Sequence, residues 1–401
     1  MIFSKIFSPK NLLIGIALAI SSQFSVSGGV NAAELLHAAN SLPPASIQTE
    51  ASIKSIVTAA AQEYLSDPNT AGISIGIVRG NHNYAYHFGT VDKTLTQLPN
   101  DSTVYPIASI TKTFTGTLLA QAELDHKLKI TDDVRLYLNG DYPNLEFAKQ
   151  PIQLFHLLNH RSGLPFILPN PPEAAPDFVD VVPYPLRIDK IVDSSNKNGF
   201  YTALHQITLS AAPGTHFQYS NAAAQLAGYI VEHVYGETFE TLLHEKITGP
   251  LAMHDTVIEL APSQAKRLVI GYDENGARYQ PSSNKFQGAA AIKSTLPDML
   301  KYAQWQLDAH APEVKLSHIP TYSNDDFSIG LNWQMLSANG RKVLWQDGAT
   351  PGFASFCIPQ PDANLALVIL SNELGPATLG RLSAMANKIM KAIDERSITK
   401  P

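Results

Sequence analysis

The strand-forming segments of this chain stand at its two ends, and that placement limits the fold more than any single residue does. Ala71 to Arg79 and Tyr84 to Asp92 read as two strands joined at Gly80-Asn81-His82-Asn83, a hairpin signal. Strand character returns only late, in Leu331 to Leu336, Lys342 to Trp345, Ala354 to Ile358 and Leu365 to Leu370. Turn residues such as Asn339-Gly340 and Pro361-Asp362 separate these runs. From Ser109 to about Leu260 the period is mainly helical and predicts helices over 109–126, 151–159, 197–210, 220–235 and 238–246. Amphipathic helices are also predicted over Ile53 to Tyr64 and over Pro376 to Ile393. Strand-rich ends around a helical middle predict an α/β (α+β) chain: one antiparallel sheet built from both termini, flanked by helices, with a helical insertion. Pro165 to Pro185, with seven prolines and no clear period, reads as a loop. No internal repeat is present.

The first residues are set aside from the fold. Lys5 and Lys10 precede an apolar stretch from Leu12 to Ile20, and Val30-Asn31-Ala32 offers small residues for cleavage. The expectation is a secretory signal peptide over 1–32, followed by a Pro/Ala/Ser linker over 33–49. An uncleaved anchor is the competing reading, but the stretch is short against the ~20 apolar residues that span a bilayer. No stable membrane span is expected after cleavage, and the mature chain is expected to be periplasmic or secreted. Loss of two lysines and no acid moves the formal charge from −6 to −8, which gives no attraction to nucleic acid or to anionic membranes. Cys357 is the only cysteine, so an intrachain disulfide is impossible. At 44% hydrophobic and 16% charged residues, the chain can bury a large core and is not of the disordered class.

Ser109-Ile110-Thr111-Lys112 opens the helical region. Residues three apart share a helix face, so a hydroxyl stands beside an amine. A serine is a weak nucleophile until a neighbour takes its proton, and a lysine can do so only when burial makes it neutral near pH 7. Ile107, Ala108, Ile110, Phe114, Leu118 and Leu119 supply apolar surroundings. A solvated lysine on a capped surface helix is the bland alternative. Two further elements follow in order: Tyr219-Ser220-Asn221 before an Ala-rich helical run, and Trp345-Gln346-Asp347-Gly348-Ala349-Thr350-Pro351-Gly352-Phe353 between apolar runs. A Ser-x-x-Lys, a second polar triplet and a Lys-Thr-Gly element, in that order, mark serine β-lactamases and penicillin-binding proteins. The chain resembles that superfamily from about residue 50 to about 395, specifically its class C branch, where the middle element is Tyr-x-Asn. His156-Leu157-Leu158-Asn159-His160-Arg161-Ser162-Gly163-Leu164-Pro165 and Gly249-Pro250-Leu251-Ala252-Met253-His254-Asp255-Thr256 look like its landmark segments.

The resemblance implies the β-lactamase/transpeptidase-like fold. It divides the chain into a sheet domain over 50–108 and 265–397 and an all-helical domain over 109–264, with the site in the cleft between them. It implies Ser109 as nucleophile, Lys112 and Tyr219 sharing the proton, and Asn221 hydrogen-bonding Lys112 and the substrate amide. The backbone N–H groups of Ser109 and Ala349 would form the oxyanion hole. The third element departs from the pattern: Gln346 stands where Lys or His is usual, and Asp347 where Thr is usual. The cation that would meet a substrate carboxylate is therefore missing. Gly348 is kept, which lets substrate lie along the strand edge, and Arg381 on the last helix is offered as a substitute cation.

The expected activity is that of an exported serine hydrolase working through a Ser109 acyl-enzyme, on β-lactams or D-Ala-terminated peptides. A carboxylesterase of the same fold, or a penicillin-binding or scaffolding protein with little turnover, are the alternatives. The partner is a small-molecule substrate, with no nucleic acid, no cofactor, and a monomer expected. Gly72-Ile73-Ser74-Ile75-Gly76 matches a nucleophile elbow but continues a strand rather than turning into a helix. His156 and His160 stand four apart, as metal ligands can, but Leu157 replaces the glutamate of that motif and both read as structural.

Overall fold

The computed structural model describes residues 49–175, 184–280, 284–324, 327–338 and 341–395. The expected leader, nearly all of the linker, the middle of the 165–185 loop and the Asn339-Gly340 turn lie outside these residues.

Eleven helices are described: α1 (Glu50–Tyr64), α2 (Thr111–Leu124), α3 (Leu154–Leu158), α4 (Tyr184–Asp193), α5 (Lys197–His205), α6 (Asn221–Tyr235), α7 (Phe239–Leu243), α8 (Pro262–Ala265), α9 (Leu296–Trp305), α10 (Pro312–Ser317) and α11 (Thr378–Glu395). The eight-stranded sheet holds β1 (Gly72–Arg79), β2 (His82–Gly89), β9 (Tyr322–Ser323), β10 (Ser328–Ile329), β11 (Gln334–Ala338), β12 (Arg341–Thr350), β13 (Phe353–Gln360) and β14 (Leu365–Ser371). Three two-stranded ribbons pair β3 (Val104–Pro106) with β8 (Lys293–Thr295), β4 (Glu146–Phe147) with β5 (Gln150–Pro151), and β6 (Gly271–Tyr272) with β7 (Arg278–Tyr279).

The sheet runs in the order β2-β1-β14-β13-β12-β11-β10-β9, antiparallel at every pairing. The N-terminal and C-terminal strands meet as its second and third members, where Ile73 faces Ser371 and Arg79 faces Leu365. Because side chains alternate along a strand, the sheet feeds two cores. Ile73, Ile75 and Ile77 of β1, Leu367 and Ile369 of β14, and Phe356 of β13 lie on one face, against Ile53, Val57 and Ala61 of α1 and Leu382, Ile389 and Ile393 of α11. Val78, Cys357, Val368 and Leu370 point the other way into a core that also takes Leu296, Met299 and Leu300 of α9 and Phe114 and Leu118 of α2. At Gly76 a Cβ would meet the Leu300 side chain at 2.6 Å, so glycine lets α9 settle onto β1. Tyr64 donates to Glu373 at 2.6 Å and carries the Arg381 guanidinium over its ring, which latches α1 to α11.

Both ends of the chain thus form one antiparallel sheet with helices on each face, and the helices of 111–265 lie between them in sequence, as expected. Two differences are local. The β1–β2 turn is tighter than expected, Gly80-Asn81 alone, with Gly80 at φ +58°. The Pro-rich stretch is not loop to its end: α4 begins at Tyr184, since a proline in the first turn of a helix forfeits no needed donor. Ser74, inside β1, is fully buried and bonded to His87 Nδ1 at 2.8 Å and to the Tyr105 hydroxyl at 2.9 Å, a structural serine.

Candidate active site

The Ser109 segment is a tight 3₁₀ turn, Ala108–Ile110, that runs directly into α2. Ala108 precedes the serine at φ +48°, a left-handed conformation worth ~1–3 kcal/mol of strain in a residue with a side chain. The turn is held there from several sides. Ile107 N–H donates to Ile292 O at 3.0 Å, Ser355 Oγ donates to Ile107 O at 2.9 Å, and Thr111 Oγ1 accepts from Ile292 N–H at 3.2 Å. Gly348 is part of this clamp, because a Cβ on it would stand 2.5 Å from both Ile107 O and Ser355 Oγ. The bare Cα therefore serves the nucleophile's own turn, a nearer purpose than the substrate approach expected from sequence.

Ser109 is half-buried, and its oxygen receives two hydrogen bonds: Lys112 Nζ at 2.9 Å and the Tyr219 hydroxyl at 2.8 Å. The three residues expected to converge do so. Lys112 is fully buried, and desolvation brings it down to about 7 against a smaller opposing effect of Asp347. Its other partner is the carbonyl of Ala289 at 2.9 Å, which no sequence pattern signals. Thr115 Oγ1 donates to Gly288 O at 2.6 Å and fixes that carbonyl's loop against α2. Tyr219 is pushed well above the usual phenol range by burial, with Lys112 Nζ 4.9 Å from its ring centroid. It is placed by helix capping: Ser220 is the N-cap of α6, accepting from Ala223 N–H at 2.9 Å and donating to Pro165 O at 2.6 Å. His160, buried and lowered to about 3, accepts from Ser220 N–H at 3.3 Å and packs 4.3 Å from the Tyr219 ring. His156 accepts from Gln153 N–H at 3.1 Å, so both landmark histidines are engaged in shaping this wall.

Asn221, the first residue of α6, is nearly buried, and its Oδ1 has no hydrogen-bond partner. The expected bond to Lys112 is not made; the amine is taken by Ser109 and Ala289 O, which leaves the buried Asn221 amide oxygen without a partner. β12 brings the third element. Its ladder with β11 ends at the Gln334–Trp345 pair, so Gln346 to Thr350, including Ala349, have β13 on one side and, among the described residues, no strand on the other. Gln346 is buried and donates its amide to Asp347 O at 3.0 Å. Asp347 is buried too, raised by desolvation to about 6, and acts electrostatically on both Lys112 and Tyr219. It was read from sequence only as a missing threonine; its charge inside the site is the addition. Arg381 is a correction. Its guanidinium pairs with Asp67 at 2.7 Å and Glu373 at 3.8 Å and lies over Tyr64, in the latch between α1 and α11, so it supplies no cation to the site.

A family model described as beta-lactamase matches residues 57–388. A beta-lactamase of Pseudomonas fluorescens is 24% identical over 384 residues, which cover 86% of this chain and 99% of that protein. The D-alanyl-D-alanine-carboxypeptidase/endopeptidase AmpH of Escherichia coli (strain K12) is 26% identical over 351 residues, 82% of this chain and 86% of that one. A solved beta-lactamase/D-alanine carboxypeptidase from Yersinia pestis superposes with a TM-score of 0.74 at 23% identity, covering 86% of this chain and 100% of its own. A class C beta-lactamase gives 0.73 at 20%, covering 86% and 98%. The architecture is accordingly the β-lactamase/transpeptidase-like fold.

Proposed function

As this chain belongs to the beta-lactamase family and is a serine hydrolase, we propose that it is an exported enzyme that cleaves an acyl bond through a covalent Ser109 intermediate. The observation that carries this is the oxygen of Ser109 within hydrogen-bond distance of a buried amine and a buried phenol at once. The two partners divide the proton work. Lys112, near 7, is the group that is neutral in a useful fraction at neutral pH, and it takes the Ser109 proton as Oγ attacks the carbonyl carbon. Tyr219, whose burial keeps the phenol protonated, gives its proton to the departing nitrogen or oxygen and recovers it from the Lys112 ammonium. Water then hydrolyses the ester on Ser109. The N–H groups of Ser109 and Ala349 stabilise the oxyanion, one at the start of α2 and the other on the part of β12 beyond its ladder with β11.

β-Lactams and D-Ala-terminated peptides are the first substrates to test, in keeping with what the relatives are named for. A carboxylesterase is the second reading, favoured by Gln346, a neutral amide already bonded to its neighbour's carbonyl. Incubation with a fluorescent penicillin, a chromogenic cephalosporin and a p-nitrophenyl ester separates labelling, lactam turnover and ester turnover. The acyl mass is expected on the peptide holding Ser109 and absent from Ser109→Ala, whose circular dichroism stays that of the parent. An acyl group found on another serine refutes the assignment.

A further inference from the structure

The third element does more than lose a cation; it installs an acid near enough to Lys112 and Tyr219 to act on both. Asp347 lies one residue before the glycine that abuts the Ser109 turn, on the part of β12 beyond its ladder with β11. It is 7% exposed. Its Oδ1 has a long contact, 3.5 Å, with Gln334 Nε2 of β11, and Phe356 of β13 faces it in the ladder. The titratable groups that bear on it are Lys112 of α2 and Tyr219 ahead of α6. Lys112 is the cation that acts on it, and the same burial that makes Lys112 a usable base strips that cation of part of its charge. Gln346 adds no charge, and Arg381 is held elsewhere. The edge along which a substrate must lie is thereby left with a negative field in low dielectric, where like charges repel most strongly.

We propose that Asp347 is a specificity-determining residue that turns this site away from substrates bearing a carboxylate next to the scissile bond and toward uncharged or ammonium-bearing esters and amides. This rests on Ser109 being the nucleophile, and it selects among the substrates of the preceding reading.

The test uses the whole chain and two matched phenylacetylglycine esters, the phenyl ester and its m-carboxyphenyl counterpart. The parent enzyme is expected to favour the uncharged ester in kcat/KM by about tenfold or more. Asp347→Asn and Asp347→Thr are expected to bring that ratio toward one, whatever they do to the absolute rates. A second measurement uses Asp347→Asn as its own control: lowering the pH to about 5 is expected to shrink the ratio more in the parent than in the variant, because protonation of Lys112 is common to both proteins and protonation of Asp347 is not. A parent ratio near one overturns the proposal, as does a ratio unchanged in both variants. Mass spectrometry of Ser109 separates the two failures: acylation of Ser109 with an indifferent ratio refutes the role of Asp347 alone, and no acylation there by either ester refutes the nucleophile and this proposal with it.

Discussion

In the proposed mechanism Lys112 is the residue whose burial serves catalysis at the expense of the fold. An ammonium without solvent is costly, so folding lowers its affinity for a proton from the ordinary lysine value to about 7. Two consequences follow in opposite registers. For activity, the free base is the working form, so kcat/KM on an uncharged ester is expected to rise with pH through about 7 and then level off. A pH profile that is flat across that range would remove Lys112 as the base. For stability, the unfolded chain keeps a proton between about 7 and 10.5 that the folded chain has released, so this group's contribution is fully present above 10.5 and is lost as the pH falls to about 7. Lys112→Met is expected to abolish turnover and to flatten that part of the stability curve, read by urea unfolding at several pH values. Such a trade between a strained site and a comfortable fold is common where chemistry needs a perturbed group.

At the scale of elements, the site is an agreement between the start of α2, the start of α6 and the second half of β12. Gly348 is where two of them touch. Gly348→Ala is expected to push the Ile107–Ala108 backbone off β12, costing about 1–3 kcal/mol in denaturant unfolding and, by displacing Ser109 from its partners, about a hundredfold in kcat. A variant with full activity would show that the contact has slack. The sequence made these elements readable to different degrees. The i, i+3 placement of Ser109 and Lys112 and the helical run after Tyr219-Ser220-Asn221 are local regularities, and both are found in the structure. The strand assignments hold in part: β1, β13 and β14 stand where their apolar runs do, buried on both faces, whereas residues 331–333 precede β11 and β12 continues past Trp345 to Thr350. The Ala289 carbonyl, the packing of His160 on Tyr219 and the unpaired Asn221 amide oxygen leave no trace in the sequence, since each arises where distant segments happen to meet. Arg381 was misjudged for the same reason: helix position says nothing about which face of the sheet the helix covers. α9 and α10 went unread beside the late strands, and α4 was concealed by the prolines around it.

The whole molecule is a sheet closed by its own termini and covered on the face away from Ser109 by α1 and α11. Leu382 of α11 is fully buried in that layer. Leu382→Ala is expected to cost about 2–5 kcal/mol in chemical unfolding while the folded fraction keeps the parent's turnover; a matching loss of kcat would mean that this layer reaches the site. The order of the strands carries a last consequence. β1 has β2 on one side, but its other neighbour is β14, which ends at Ser371. Until that segment has been made, β1 lacks one of its two sheet neighbours, and a two-stranded hairpin is barely stable in water without further packing. Synthesis and folding are thereby separated in time: the sheet that carries the site cannot be completed until the residues near 371 have been made.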